Sequence, residues 1–483
     1  MDRQDNFSST QDGLQLTRRG FLAAAGAAAL SFVYLPGIGR VQAKPFARDR
    51  AEDYEGRLCY NENPLGPSPA ALIAMQDAAT LGHRYPDWFS TTLESQIATY
   101  HGLSTSMICA GAGATELIHL VASAFLGPGD EVITAYPSYD QIEDEAYSRG
   151  ASVIQVPLDE NYILDLDAIT TAIGPATRLV YLVNPNNPVA TIVNKIDLET
   201  FINALPAGVI LVVDEAYHDY VHSPDYESCI RFVEEGKPVI VLRTFSKIYG
   251  LAGVRVGYAI SSSEHIGLIG TWQPFAMVTR PSQAAASAAL EDSSHVSDTV
   301  ALNDQAKTLL ESGFTNLGLV SIPSETNYMM FDTGTNAVSV KSQLAGMGYQ
   351  VRTGWGMPQH IRVSTGTLEE VSGFLVALES ILAVGVDDSA PPAFAMVSAY
   401  PNPFNAHCTI RIDLPDSEPA NLTIYDAEGR KVRSLLNGSI SQGRHEFQWD
   451  GRDHSGSSMA SGSYLVSFRQ GDYASSRKIT LLK

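Results

Sequence analysis

The chain has 483 residues, 45% of them hydrophobic, with 39 Gly and 25 Pro; this is ordinary globular composition and enough length for several compact units. Lys plus Arg total 32 against 53 Asp plus Glu, a net charge of −21, which argues against nonspecific attraction to nucleic acid or anionic lipid and favours small-molecule chemistry. The four cysteines, Cys59, Cys109, Cys229 and Cys408, are far apart and form no Cys-x-x-Cys pair, so neither a zinc ribbon nor a dense disulfide framework is implied and no metal site is expected; they read as mostly buried thiols.

Residues 1–43 read as a removable export signal. A polar start leads to Thr17, Arg18, Arg19, Gly20, Phe21 and Leu22; an Ala-rich apolar run extends to Leu35, and Val41, Gln42 and Ala43 supply small residues where a signal peptidase reads. The run is too short to span a bilayer, which takes about 20 apolar residues, and the order basic, apolar, small is that of a secretory signal. The paired arginines before Phe-Leu resemble the twin-arginine type, which carries folded proteins across the membrane. No cysteine stands near the cleavage point, which disfavours a lipoprotein. The expected destination is the periplasm, cell surface or medium, with the export machinery as a partner.

Residues 44–384 form the second segment. From about Arg57 to Val384, short apolar runs such as Leu179 to Val183, Val209 to Val213 and Val239 to Leu242 alternate with longer amphipathic stretches. That rhythm predicts an α/β core of parallel strands and helices, with ligand sites at the carboxyl ends of the strands. Charge and prolines at 385–396 suggest a linker. Beyond it, over 397–483, Ile410, Ile412 and Leu414, then Leu422 and Ile424, Phe447 and Trp449, and Tyr464, Val466 and Phe468 alternate with polar residues, separated by turns such as Ala427-Glu428-Gly429. Period-two strands with regular turns indicate an antiparallel β-sandwich of about seven strands.

The chemistry-bearing stretch is Thr244-Phe245-Ser246-Lys247, followed by Gly250, Leu251, Ala252, Gly253 and Arg255. A lone lysine beside small residues is usually solvated. This one follows an apolar strand, and a second cation lies eight residues on among glycines that allow close approach. The arrangement suits an amine that bonds a carbonyl while an arginine and two hydroxyls hold an anion. The run resembles the cofactor-lysine motif of fold-type I aminotransferases, in particular the histidinol-phosphate aminotransferase group. The resemblance implies a mixed, mostly parallel sheet flanked by helices over about 85–280. A smaller α+β domain is expected over about 281–384 plus the amino-terminal segment, and the cofactor is expected to be pyridoxal 5′-phosphate.

Further segments match that family in order, and their roles come from the resemblance. Asp214-Glu215-Ala216-Tyr217 resembles the cofactor-ring motif: Asp214 keeps the ring nitrogen protonated and Tyr217 donates to the phenolic oxygen. Asn184-Pro185-Asn186-Asn187-Pro188 resembles the signature whose last Asn bonds the same oxygen, which assigns Asn187; Val189-Ala190 stands where the family usually has Thr-Gly. Gly111 to Glu116 opens the apolar helix Leu117 to Ala124, and a glycine-rich helix start presents free N–H groups to phosphate. Gly113, Ala114 and Thr115 would form this cradle, completed by Thr244, Ser246 and Arg255. Tyr139 matches the aromatic that stacks on the ring, and Tyr85 the tyrosine that reaches the cofactor phosphate of a neighbouring subunit, which implies a homodimer with shared sites. Arg362 matches the arginine that grips the substrate anion, Arg352 is a second cation nearby, and Asn63 lies in the mobile segment Asn61 to Pro67. Lys247, Asp214 and Tyr217 are the expected catalytic residues. Lys247, once released by the substrate amine, would move the Cα proton in two half-reactions between an amino donor, histidinol-phosphate-like or aromatic, and a 2-oxo acid such as 2-oxoglutarate.

At the carboxyl end, Pro401 to Asn405, Ile424-Tyr425-Asp426, Gly429-Arg430, Trp449 to Asp453, Ser461-Gly462 and the closing Arg477 to Lys483 together resemble the sorting domain of type IX secretion. An accessory Ig-like domain without a sorting role is the plainer alternative. Two other functions compete for the whole chain: a decarboxylase or other lyase using the same cofactor residues, and a surface binding protein on an inactive aminotransferase scaffold.

Overall fold

The computed structural model describes residues 54–384 and, apart from positions 401, 403, 406, 415–418, 427, 428, 442, 471, 472 and 483, residues 396–482. The expected signal over 1–43, most of the 385–396 linker, Pro401 and Pro403 of the sorting resemblance and the Ala427-Glu428 turn lie outside the described residues.

Seven strands build the main sheet: β1 (Ile108–Gly111), β2 (Glu131–Tyr136), β3 (Ser152–Pro157), β4 (Thr177–Val183), β5 (Ile210–Asp214), β6 (Val239–Thr244) and β7 (Gly257–Ile260). Their spatial order is β1-β7-β6-β5-β4-β2-β3. The five from β6 to β3 are parallel, and β7 runs antiparallel to both β6 and β1. Strands of this kind, buried on both faces, read as continuous apolar runs; β4 and β6 are buried along almost their whole length. Two apolar clusters cover the faces, one including Ile133, Val180, Leu211 and Val241, the other Val132, Leu179, Val212 and Ile240 with Leu117 and Val121 of the helix that follows β1.

Helix α1 (Pro69–Ala79) is capped by Ser68, whose hydroxyl accepts the Ala71 N–H. Helix α2 (Ala114–Phe125) begins at Gly113 with φ 81°. Helix α3 (Arg280–Glu291) packs through Ala285, Ala286 and Ala289 into the cluster that holds Ala71 of α1. The long α4 (Ser293–Asn316) starts against the same cluster with Val296 and Val300, then passes Ala306, Leu310 and Phe314 to a separate core. The change from large-sheet to small-domain packing therefore falls within α4, later than the expected division near 281.

That second core lies under strands β8 (Val320–Ile322), β9 (Tyr328–Asp332), β10 (Arg352–Gly354) and β11 (Met357–Ser364), in the order β10-β11-β9-β8, with α5 (Ala337–Gly346) and α6 (Leu368–Val384) supplying Val340, Leu344, Phe374 and Leu378. The amino-terminal segment joins it: Leu58 is one of its members, and the Ser364 N–H donates to the Leu58 carbonyl at 2.9 Å.

The named strand pairs of the carboxyl-terminal region are antiparallel. Strands β12 (Met396–Tyr400), β13 (Cys408–Leu414) and β16 (Gly443–Trp449) form one sheet, and β14 (Pro419–Tyr425), β15 (Lys431–Ser439), β17 (Gly462–Gln470) and β18 (Tyr473–Leu481) the other. Ile410, Ile412, Leu422, Ile424, Trp449, Val466 and Phe468 meet in one apolar cluster, as the period-two pattern predicts. Among the described residues no helix is long and apolar enough to cross a membrane. All four cysteines are buried.

Candidate active site

The carboxyl ends of β2, β4, β5 and β6 open on one side of the sheet, and the loops after them carry the reactive side chains, as a parallel sheet demands. A cavity of about 240 Å³ is lined there by Ala114, Thr115, Tyr139, Asn187, Asp214, Tyr217, Thr244, Ser246, Lys247 and Arg255, with Tyr60, Asn61, Arg352 and Arg362 closing it from the amino-terminal segment and the small domain.

Asp214, the last residue of β5, forms part of the wall. Its Oδ1 accepts the Ala216 N–H at 3.0 Å and its Oδ2 accepts the Tyr181 hydroxyl at 2.9 Å. Burial raises its pKa to about 6, against the lowering effect of those bonds and of Lys247. Glu215, the next residue, is locked into a buried pair with Arg243 at 2.7 Å and also accepts from Ser228 and the Cys229 N–H. Arg243 immediately precedes Thr244, so this pair ties the Asp214 segment to the lysine segment on the neighbouring strand.

Thr244, Ser246 and Arg255 form an anion cradle in the same wall. The Thr244 hydroxyl donates to Ser246 Oγ at 3.0 Å, and Arg255 Nη1 reaches the same oxygen at 3.3 Å and the Ala252 carbonyl at 2.9 Å. The start of α2 brings Ala114 and Thr115 into the wall. Gly113 is required by space as well as by its φ: a Cβ there would stand 2.3 Å from Arg255 Nη2.

The Lys247 amine donates to the Tyr60 carbonyl at 3.0 Å and sits 5.6 Å from the Tyr217 ring centroid. Burial, then the nearby Arg362 charge, lowers its pKa to about 8, so a useful fraction is the neutral nucleophile near neutral pH. Tyr217 is buried, its hydroxyl accepts from Asn61 Nδ2 at 2.9 Å, and burial pushes its pKa up to about 12. Gly250, at φ 67°, lets the lysine loop meet the amino-terminal segment: a Cβ would lie 1.9 Å from the Gly66 carbonyl oxygen.

Arg362 is 1% exposed. It donates to Asn187 Oδ1 and, at 2.8 Å, to the Cys59 carbonyl, while its Nε has no partner. Arg352 stands directly opposite it in the β10–β11 register, and the Trp355 ring lies 5.5 Å from one guanidinium and 5.1 Å from the other. Like charges directly across a strand pair are unfavourable by themselves, so the pair is poised for an anion.

Two expected residues lie elsewhere. Asn63 does not line this cavity; it is buried with its amide donating to the Ile248 carbonyl at 2.8 Å and Thr299 Oγ1 at 3.0 Å, which makes it a brace for the segment. Asn61 and Tyr60 take the places facing the cavity. Tyr85 is 73% exposed and absent from its own chain's cavity wall. Sequence reasoning missed Tyr60, Asn61, Tyr181 and Trp355. Tyr181 alone left a signal: a phenol inside an otherwise apolar central strand must find an acceptor.

The sequence model of the family described as Aminotransferase class I and II matches residues 56–378, and that of the FlgD Ig-like domain matches 405–472. A histidinol-phosphate aminotransferase of Moorella thermoacetica is 40% identical over 331 residues, 68% of this chain and 85% of the relative. One from Caldicellulosiruptor saccharolyticus is 38% identical over 328 residues, 68% and 91% of the two chains. The crystal structure of histidinol-phosphate aminotransferase from Sinorhizobium meliloti in complex with pyridoxal-5′-phosphate superposes with a TM-score of 0.65 at 27% identity, covering 68% of this chain and 92% of that one. The cavity fits that cofactor. One wall holds an amine, a buried carboxylate and a hydroxyl-and-arginine cradle, the chemistry that an aldehyde, a ring nitrogen and a phosphate call for, and Gly113 leaves room for the Arg255 guanidinium. The chain belongs to the class I and II aminotransferase family and is a pyridoxal-phosphate-dependent aminotransferase.

Proposed function

We propose that this enzyme moves an amino group from a donor with an anionic end, histidinol phosphate or an aromatic amino acid, to a 2-oxo acid such as 2-oxoglutarate. The single observation that carries the reading is one cavity walled by Lys247, Asp214, the Arg255 cradle and the Arg352–Arg362 pair. The activity for which the relatives are named, transamination of histidinol phosphate, supports the donor class.

Bound in the cavity, pyridoxal phosphate supplies an aldehyde carbon for the amino group and a ring that spreads the electron pair left at the substrate Cα. Asp214 would hold the proton of the ring nitrogen. Tyr217 and Asn187 would hydrogen-bond the phenolic oxygen, Tyr139 would cover the ring, and Gly113, Ala114, Thr115, Thr244, Ser246 and Arg255 would hold the phosphate. Lys247 would anchor the cofactor, and its freed amine would act as the base that takes the substrate Cα proton and the acid that returns it. Arg362, with Arg352, grips the substrate anion. The test incubates purified protein with histidinol phosphate or aromatic amino acids plus 2-oxoglutarate. Glutamate formation supports transamination, and donor loss without glutamate supports a lyase. A protein that never acquires the absorbance of bound cofactor would leave only the inactive-scaffold reading.

The working form is a homodimer in which Tyr85 serves the neighbour's cofactor phosphate. Supporting it, Trp88, Phe89, Trp272, Phe275 and Met277 are all exposed; the Trp88 and Phe275 rings lie 5.6 Å apart, the Ala276 N–H donates to the Trp88 carbonyl at 2.7 Å, and Arg280 donates to the Tyr85 carbonyl. Apolar side chains exposed in this way call for a partner surface. Mixing inactive Lys247→Ala subunits with Tyr85→Ala subunits should restore activity only if sites are shared.

Residues 1–43 act as a twin-arginine export signal and 397–483 as a sorting module that delivers the enzyme to the cell surface or medium, with 385–396 as linker. The carboxyl-terminal match to an FlgD Ig-like domain supports the Ig-like fold such a module needs. So does the joining of the first and last resembling segments: Asn402 Oδ1 accepts the Thr480 N–H at 2.7 Å, and the Phe404 N–H donates to the Thr480 carbonyl at 2.9 Å. Fractionation of cells carrying Arg18→Lys with Arg19→Lys, or lacking 397–483, tests each step.

A further inference from the structure

We propose that Tyr181 is a positioning residue for the cofactor acid: its hydroxyl keeps Asp214 ionised and aimed, so that the ring nitrogen retains its proton. The inference rests on the reading of Asp214 given above. Tyr181 stands in the middle of β4, 1% exposed, between the apolar neighbours Val180 and Leu182. In register it faces Val212 of β5, and Val183 faces Asp214. Residues two apart on a strand share a face, so the Tyr181 ring lies on the Asp214 side and its length spans the step to the carboxylate.

The result is a carboxylate with one donor on each oxygen, Tyr181 at 2.9 Å and the Ala216 N–H at 3.0 Å. The other titratable groups facing Asp214 are the phenols of Tyr139, Tyr217 and Tyr328, its chain neighbour Glu215, and the Lys247 amine. Burial works to protonate Asp214, and the Tyr181 bond is the largest influence in the opposite direction. Burial also raises the Tyr181 pKa well above its ordinary value, so the phenol remains a donor across the working range. Removing the donor makes the carboxylate more basic and draws the shared proton away from the ring.

The test is Tyr181→Phe holoenzyme, which keeps the ring's volume and loses only the hydroxyl. Cofactor should still bind. The midpoint of the absorbance titration of cofactor bound at Lys247 should rise by about one pH unit, and kcat should fall about tenfold with KM within about twofold. In an Asp214→Asn background the same substitution should add no further shift, because its target is gone. An unchanged midpoint and kcat in a cofactor-loaded Tyr181→Phe protein overturns the inference while leaving the enzyme reading intact; a parent protein that takes up no cofactor overturns the reading itself. Should Tyr181→Phe fail to fold, 3,5-difluorotyrosine at position 181, a stronger donor of similar size, must lower the midpoint, and no shift overturns the inference.

Discussion

The catalytic body and the carboxyl-terminal sandwich differ most in what they bury. Beneath the active site, Asp214, Glu215, Arg243, Arg362, Asn61, Asn186 and Tyr181 all lie out of water. Burying charge and hydrogen-bonding groups is unfavourable unless each finds a partner, and their geometry is correspondingly specific. In the sandwich the core is Trp449, Phe404, Phe468, Tyr464, Cys408 and aliphatic side chains; Thr423 and Gln470 are its other buried polar residues among those described, and pairs such as Arg433–Asp450 stay at the surface. The lesson is that unfavourable burial marks the region where chemistry is done, whereas the sandwich core carries few such groups.

Breaking that contrast should have graded consequences. The largest is Lys247→Ala, expected to lower the transamination rate by at least a thousandfold while leaving thermal unfolding nearly unchanged, since it removes the nucleophile and little packing; single-turnover kinetics and calorimetry read the two effects. Next, Glu215→Ala, which leaves Arg243 buried and uncompensated, should destabilise the body by about 3–5 kcal/mol and weaken cofactor retention. Trp449→Ala should destabilise the sandwich by a similar 3–5 kcal/mol with turnover unaffected. The pair sharpens the comparison, because equal losses of stability separate in activity.

Arg255→Ala should weaken cofactor binding by about 2 kcal/mol, roughly thirtyfold, through the loss of charge-assisted bonds to the anion, as measured by equilibrium dialysis. In pH, the Lys247 amine is held at about 8, below its ordinary value, chiefly by burial. Its charged form is thus disfavoured in the fold below pH 8, and that penalty disappears as the pH rises toward the unfolded value. Cofactor capture by apoprotein should accordingly rise about tenfold per pH unit up to 8 and then level off, followed by stopped-flow absorbance. The smallest effect is Arg433→Ala: an exposed pair at 2.8 Å contributes under about 1 kcal/mol, and neither turnover nor cofactor binding should move.

Much of the site was legible in the sequence because it is written in contiguous runs. Thr244 to Arg255 and Asp214 to Tyr217 each combine a strand end with its following loop, and local chain geometry alone brings such residues to the same edge of a sheet. The tyrosine that aims Asp214 escaped notice because apolar periodicity reports that a position is buried and says nothing of what a hydroxyl there will reach. Asn63 was chosen over Asn61 for the same reason: two similar side chains two residues apart in a loop have no period to tell which faces inward.

By itself the sequence determined the α/β rhythm of the body, the antiparallel sandwich, and the lysine, acid and anion-cradle motifs, since these follow from side-chain period and from residues close in the chain. Only the tertiary structure decided that Asn61 would serve Tyr217 across 156 positions and that Arg362 would meet the Cys59 carbonyl across 303. Those pairings depend on the strand order β1-β7-β6-β5-β4-β2-β3 and on how the amino-terminal segment closes over it. Such contacts form when separate elements bury their apolar faces together, a collective outcome that no single stretch of chain encodes.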